Sequence, residues 1–214
     1  ETYRIERLIG QGGMAKVFEV SHVRLPKRFA LKVITAPAAQ SSEFMLRFRR
    51  EAEILGALEH PNVVNVVDFN MTPSGQPYLV MELLTGEDLS ALLQRAGALP
   101  PKVALSIFAQ AVAALEVAHA HGITHRDLKP ANIFLCSNGV VPYYTKVLDF
   151  GIAKSAQVKS SLVTDHLVLM GTPAYMAPEQ ARGNLAGVDA RSDQFSLALV
   201  LYEMLAGKAA FYRP

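Results

Sequence analysis

Residues 125–132 read His125-Arg126-Asp127-Leu128-Lys129-Pro130-Ala131-Asn132, and after a short gap the chain reads Asp149-Phe150-Gly151. Few stretches constrain a fold more tightly. Two carboxylates, a carboxamide and a lysine stand at spacings that suit a divalent cation and a phosphate held beside a hydroxyl nucleophile. A rigid Lys-Pro segment separates Asp127 from Asn132, and the residues between Asn132 and Asp149 have the alternation of a β-hairpin. Such a hairpin returns Asp149 to the place Asn132 left. Hard cations take oxygen ligands, and Mg²⁺ combines one or two protein oxygens with substrate phosphates.

Upstream, residues 3–35 alternate apolar and polar positions (Ile5, Leu8, Val17, Phe18, Val20, Phe29, Leu31, Val33) and predict antiparallel strands joined by hairpins. Between two of them lies Gly10-Gln11-Gly12-Gly13-Met14-Ala15-Lys16-Val17, where glycines let backbone N–H groups come close to a phosphate. Taken alone, this loop is equally a hairpin turn. A helix is expected from about Ser42 to Leu58 with Phe44, Phe48, Ile54, Leu55 and Leu58 on one face. His60-Pro61-Asn62 reads as a turn into a fourth strand, and residues 77–82 read as a fifth. Leu89–Arg95 and Pro101–His121 are helical by periodicity, the second starting on prolines suited to a first turn. Val103, Ile107, Phe108, Ala111, Val112 and Leu115 make that second helix a core helix. Residues 192–206 are apolar nearly all round and predict another buried helix.

These motifs, in this order, resemble a protein kinase catalytic domain of the bacterial serine/threonine kind, and the resemblance runs over nearly all of the chain. It implies a two-lobed α+β fold: a small antiparallel β lobe with one helix (1–82), a hinge (83–86) and a mainly helical lobe (87–214) that stops short of the family's last helices. ATP and Mg²⁺, with Mn²⁺ as an alternative, are the implied cofactors. Asp127 is then the carboxylate that orients the acceptor hydroxyl and takes its proton, and Lys129 neutralises the transferred phosphate. Asn132 and Asp149 are the metal ligands. Lys32, on the third strand, matches the lysine that reaches the α and β phosphates, and Glu51 matches its partner on the helix. Ile9, Gly10, Gly12, Gly13, Val17, Ala30, Met81 and Phe134 line the nucleotide site by the same likeness, with Glu82 and Leu84 offering backbone groups to the adenine edge. The family expects glycine where this chain has Ala15, which loosens the phosphate cover.

Residues 152–170 are rich in hydroxyls, and Gly171 to Glu179 resemble the end of an activation segment. Thr172 matches a threonine that contacts Asp127 and Lys129. Thr164 is the expected phosphorylation site, its phosphate pairing with Arg126. By resemblance His125 packs on Phe150, and Asp193 caps the backbone of the catalytic loop. Leu55, Val66, His125 and Phe150 stack into a column above Asp193, and Glu179 pairs with an arginine from beyond residue 214. Protein substrates with serine or threonine acceptors are the implied partners, with a second copy of the chain for autophosphorylation in trans.

Composition narrows the alternatives. Half the residues are hydrophobic and 19% charged, an ordinary globular balance over 214 residues. A net charge of +2 from scattered lysines and arginines gives no nucleic-acid footprint. No uninterrupted apolar run is long enough to span a membrane. The single cysteine, Cys136, excludes an internal disulfide, fits a reducing, cytoplasmic compartment and is expected in a buried strand. The start at Glu1 without methionine and the stop at Pro214 suggest a fragment, so a leader or anchor outside it stays open. His119, His121 and His125 lack the companions of a zinc set. Two rivals remain: a pseudokinase scaffold, opposed by the full set Lys32, Glu51, Asp127, Asn132 and Asp149, and a small-molecule kinase, opposed by the Gly171–Glu179 segment.

Overall fold

Alternation with a period of two builds the first part of the molecule. Strands β1 (Tyr3–Gln11), β2 (Ala15–His22), β3 (Arg28–Ile34), β4 (Val66–Met71) and β5 (Pro77–Glu82) form one antiparallel sheet in the order β1-β2-β3-β5-β4. The computed structural model describes residues 2–35, 41–137, 142–150, 173–184 and 187–211. Facing residues of an antiparallel pair share a face of the sheet. Val20, Leu31, Val33 and Val80 therefore gather on one side, with Tyr3, Phe18, Phe29 and Tyr78 packed against them. Each such aliphatic side chain, fully buried, contributes about 1.5–3 kcal/mol.

Helix α1 (Ser42–Ala57) starts where the Ser41 hydroxyl accepts the Phe44 N–H at 3.1 Å, a cap worth about 1 kcal/mol. Phe44, Phe48, Ala52 and Leu55 form its buried stripe, and Phe48 meets Phe69 of β4 edge to face at 6.5 Å. These elements make one compact unit, Glu1–Glu59 with Val64–Leu84.

The second unit comprises His60–Val63, Thr85–Gly151 and the described residues from Pro173 onward. Its sheet has three strands in the order β6 (Gly86–Asp88), β7 (Ile133–Cys136), β8 (Tyr144–Val147). Helices α2 (Leu89–Ala96), α3 (Pro101–Ala120), α4 (Pro178–Ala181) and α5 (Ala190–Ala206) complete it. The Asp88 carboxylate accepts the Ala91 N–H and starts α2. Helix α3 packs on α5 and β8. It is long and apolar enough to cross a membrane by length and composition, yet Ala104, Ile107, Ala111, Ala114, Leu115 and Ala118 are buried in this unit as a core stripe. At the end of α5, Gly207 is left-handed (φ 69°), and a Cβ there would lie 2.7 Å from the Ala98 nitrogen.

Several expectations need correction. The segment read as a hinge ends in strand β6, because Gly86–Asp88 pairs with Phe134–Cys136. The fifth helix begins at Ala190, two residues early, because Asp189 caps it by accepting the Arg191 N–H. It is not buried all round: Tyr202 and Leu205 are 45% and 43% exposed. Val112 of α3 is likewise at the surface, and Cys136 is half-buried because it ends a short strand. His60-Pro61-Asn62, expected only to turn the chain, is fastened to the second unit. Asn62 Nδ2 donates to the Thr145 carbonyl at 2.7 Å, the Tyr144 hydroxyl donates to the Pro61 carbonyl at 2.7 Å, and Val63 bridges to Val147.

Candidate active site

The loop between α3 and β7 is shaped by a carboxylate far along the chain. Asp193, in the first turn of α5, is 1% exposed. Its Oδ2 accepts the His125 N–H at 2.7 Å and its Oδ1 accepts the Arg126 N–H at 2.9 Å. His119 Nε2 lies 2.7 Å from the same Oδ2. Those bonds hold Arg126 in the left-handed region (φ 64°), a conformation that costs about 1–3 kcal/mol for a residue other than glycine. Gln180 of α4 reinforces it by donating to the Arg126 carbonyl at 2.9 Å.

His125 is fully buried, and its two ring nitrogens have distinct tasks. Nε2 donates to the Leu148 carbonyl at 2.7 Å, and Nδ1 accepts the Asp127 N–H at 3.3 Å. A ring that accepts at one nitrogen is neutral there. Burial, which outweighs the nearby carboxylates, pushes its pKa below the usual value. The ring packs on Phe150 with centroids 4.9 Å apart, as the family resemblance implies.

Asp127 emerges from this anchored turn. Lys129 Nζ lies 3.1 Å from Asp127 Oδ2. Asn132 Nδ2 donates to the Asp127 carbonyl at 2.7 Å and reaches its Oδ2 at 3.5 Å. With the amide nitrogen so engaged, the Asn132 side-chain oxygen is the atom turned to any other partner. The hairpin β7–β8 then brings the chain back: the Leu148 N–H donates to the Asn132 carbonyl at 2.9 Å. Asp149 follows at once, itself left-handed (φ 55°). Asp127, Lys129, Asn132 and Asp149 are thus gathered in one unit within a few bonds of one another.

A small open depression adjoins Asp127 and Lys129, lined also by Arg126, Tyr175, Met176 and Gln180. Arg126 Nε is buried beside it with no hydrogen-bond partner among the described residues. Thr164 and Thr172, expected to complete this region, lie outside the described residues. The half-buried carboxylate of Glu179 accepts the Ser192 hydroxyl, which holds it below the usual carboxylate range.

In the first unit the register sets one row across four strands, Arg7–Glu19–Ala30–Met81, and a second, Gly10–Val17–Lys32–Leu79. Val17, Ala30, Lys32 and Met81 therefore share the sheet face opposite the Val20 cluster. Lys32 on β3 and Glu51 on α1 are both half-buried. The Glu82 N–H donates to the Asn65 carbonyl at 3.0 Å, so this donor of the expected adenine contact is already engaged. Phe134 belongs to β7 in the second unit. The Leu55–Val66 half of the expected column lies in the first unit and the His125–Phe150 half in the second.

Three residues went unforeseen. Gly86 sits at φ 146°, and a Cβ there would fall 2.0 Å from the Leu135 carbonyl oxygen, so only glycine fits beside β7. Gln110 accepts from Asn62 Nδ2 (3.2 Å) and the Thr145 N–H (2.9 Å) and ties α3 to β8. His119 is the third group on Asp193. Only the invitation of a polar residue on an apolar helix could have pointed to the last two.

Comparison with known proteins shows the family. The protein kinase domain pattern matches residues 3–214. Serine/threonine-protein kinase PknB of Mycolicibacterium smegmatis is 44% identical over 214 residues, covering 99% of this chain and 33% of its own length. PknA of Mycobacterium tuberculosis is 43% identical over 213 residues, covering 98% and 48%. The chain spans a third to a half of the length of these curated relatives. Among solved structures, the PknI kinase domain of Mycobacterium tuberculosis is 32% identical with a TM-score of 0.77, covering 100% of this chain and 79% of that one. Rad53 in complex with AMP-PNP is 30% identical with a TM-score of 0.78, covering 99% and 50%. The chain belongs to the protein kinase domain family.

Proposed function

We propose that this domain transfers the γ-phosphate of ATP to serine or threonine hydroxyls of protein substrates. The observation that carries the reading is the gathering of Asp127, Lys129 and Asn132 on a loop whose backbone is fixed by a buried carboxylate. Asp127 orients the acceptor hydroxyl and takes its proton late, because a loose transition state needs no alkoxide beforehand. Lys129, 3.1 Å away, offsets charge on the phosphoryl group in flight.

Asn132 and Asp149 supply oxygens, the donor type that suits Mg²⁺ or Mn²⁺. That ion, when bound, would neutralise the phosphate charge between them. Lys32, oriented by Glu51, would hold the α and β phosphates, with Ile9, Val17, Ala30 and Met81 against the base and Phe134 below it. Glu82 would serve through its carbonyl and Leu84 through its backbone. Gly10, Gly12 and Gly13 favour a ligand over a purely structural turn: among the described residues a Cβ on any of them would come no nearer than 3.6 Å to an atom beyond its chain neighbours, so the packing described does not demand glycine. AMP-PNP bound by Rad53 is a nucleotide of the class such a cradle would take. Phosphorylation of Thr164, its charge met by Arg126, and pairing of two copies are the regulation this reading entails, with the cytoplasm as its setting.

Transfer from γ-labelled ATP to serine and threonine peptides tests it. The wild-type protein should label them, and Asp127→Asn should lower the rate about a thousandfold. Nucleotide binding without transfer would favour the pseudokinase, and labelling of small alcohols in place of peptides the small-molecule kinase.

A further inference from the structure

The glycine-bearing turn is reached through a strand with two faults in its register. Ile5 pairs with Val20 and Arg7 with Glu19, which leaves Glu6 as an extra residue; Leu8 pairs with Phe18 and Gly10 with Val17, which leaves Ile9 as another. Between these two bulges only Arg7–Glu19 and Leu8–Phe18 are in step. Register is strongly specified only where one face of a strand is buried, and a slip of one residue turns every side chain to the other face. Leu8 is 48% exposed and offers little apolar grip. The first bulge has a tether of its own, since the Ser21 hydroxyl donates to Glu6 at 2.6 Å. The second, at Ile9 and directly before Gly10, has no such tether among the hydrogen bonds of the described residues.

Arg7 supplies the missing constraint. Its Nε and terminal nitrogen meet Glu19 Oε2 at 2.8 and 2.7 Å, while Arg28 reaches Oε1 at 2.8 Å. The Glu19 side chain is only 5% exposed, although both arginines are 70% exposed. Glu19 also stands directly beside Ala30, with Met81 next in the same row. We propose that the Arg7–Glu19 ion pair is a positioning device for nucleotide binding: it locks β1 in register between its bulges and thereby sets the place of Ile9 and the Gly10–Gly13 turn. This rests on the nucleotide-site reading above. Arg28 serves as the internal control. It bonds the same carboxylate, but it joins β2 to β3, which pair without a break from Ala15 to Ser21.

The test compares Arg7→Gln, Arg7→Lys and Arg28→Gln in the intact protein. Steady-state kinetics with MgATP should show KM for ATP raised about fivefold by Arg7→Gln with kcat within about twofold, and KM within about twofold for Arg28→Gln. Arg7→Lys should recover at least part of the loss. Hydrogen exchange at Arg7, Leu8 and Ile9 should quicken in Arg7→Gln alone. An unchanged KM in Arg7→Gln, or equal shifts in both glutamine variants, would overturn the inference by reducing the pair to ordinary surface stabilisation. A wild-type protein that binds no MgATP would defeat the nucleotide-site reading itself, and exchange at β1 would still decide whether Arg7 holds the register.

Discussion

The catalytic loop and the glycine turn are both short, irregular and expected to handle phosphate, yet they are held in opposite ways. Around Asp127 the backbone is fixed by side chains from distant elements: Asp193 and Gln180 grip the turn, His125 joins it to Leu148, and Asn132 closes it. One of its residues, Arg126, bears left-handed strain that this network sustains. The glycine turn has strand pairing on either side and two backbone bonds, from the Gly12 N–H to the Ala15 carbonyl and from the Thr35 N–H to the Met14 carbonyl, with Gln11, Gly12 and Gly13 exposed. Buried polar groups over-determine the one, and little but register determines the other. On the proposed function, transfer geometry is therefore built to be invariant, and nucleotide cover to be adjustable.

The contrast breaks most visibly at Asp193. Asp193→Ala leaves three donors in a buried site without an acceptor, so stability should fall by about 3 kcal/mol and transfer by more than a hundredfold. Chemical denaturation and labelled-ATP kinetics measure both. Retained kcat would show that the loop holds its shape unaided. Gly86→Ala comes next. The Cβ clash with Leu135 should cost about 2–4 kcal/mol, seen as a lowered melting midpoint, because β6 and β7 would have to part.

Acid should act in two separate windows. His125 stays neutral in the fold, its pKa depressed by burial, whereas in the unfolded chain it protonates below about pH 6.5. The unfolded state then binds the extra proton, so stability declines as pH falls through that value. Glu19, held low first by the Arg28 hydrogen bond, and Asp189, held low by Arg191, lose their contribution only below about pH 4. Melting midpoints between pH 8 and 5 should slope in the wild type and flatten in His125→Phe. The smallest effect belongs to the adjustable side: Ala15→Gly should change KM for ATP by less than about threefold, since Ala15 already sits in an unbroken strand pair with Ile34.

What could be read ahead of the structure divides along the same line. The strands of the first sheet, α1 and the β7–β8 hairpin follow from local alternation, and the kinase likeness placed Asp193 under the loop. Gly86 could not be recognised as obligatory, because its reason is the Leu135 carbonyl forty-nine residues away. The same holds for Gln110 and His119, whose partners come from β8 and α5. The bulges at Glu6 and Ile9 were invisible, since alternation is read as if strands paired in step. The Ser192 hydroxyl on Glu179 was equally out of reach, since the pair meets only through the folding of residues 178–192.

The most direct check is to titrate MgATP into Asp127→Asn and follow phosphate transfer by the same sample. If the loop and the nucleotide face are separate pieces of machinery, affinity stays within about twofold of wild type while transfer falls about a thousandfold. Transfer that persists in Asp127→Asn at a rate near wild type would contradict the account.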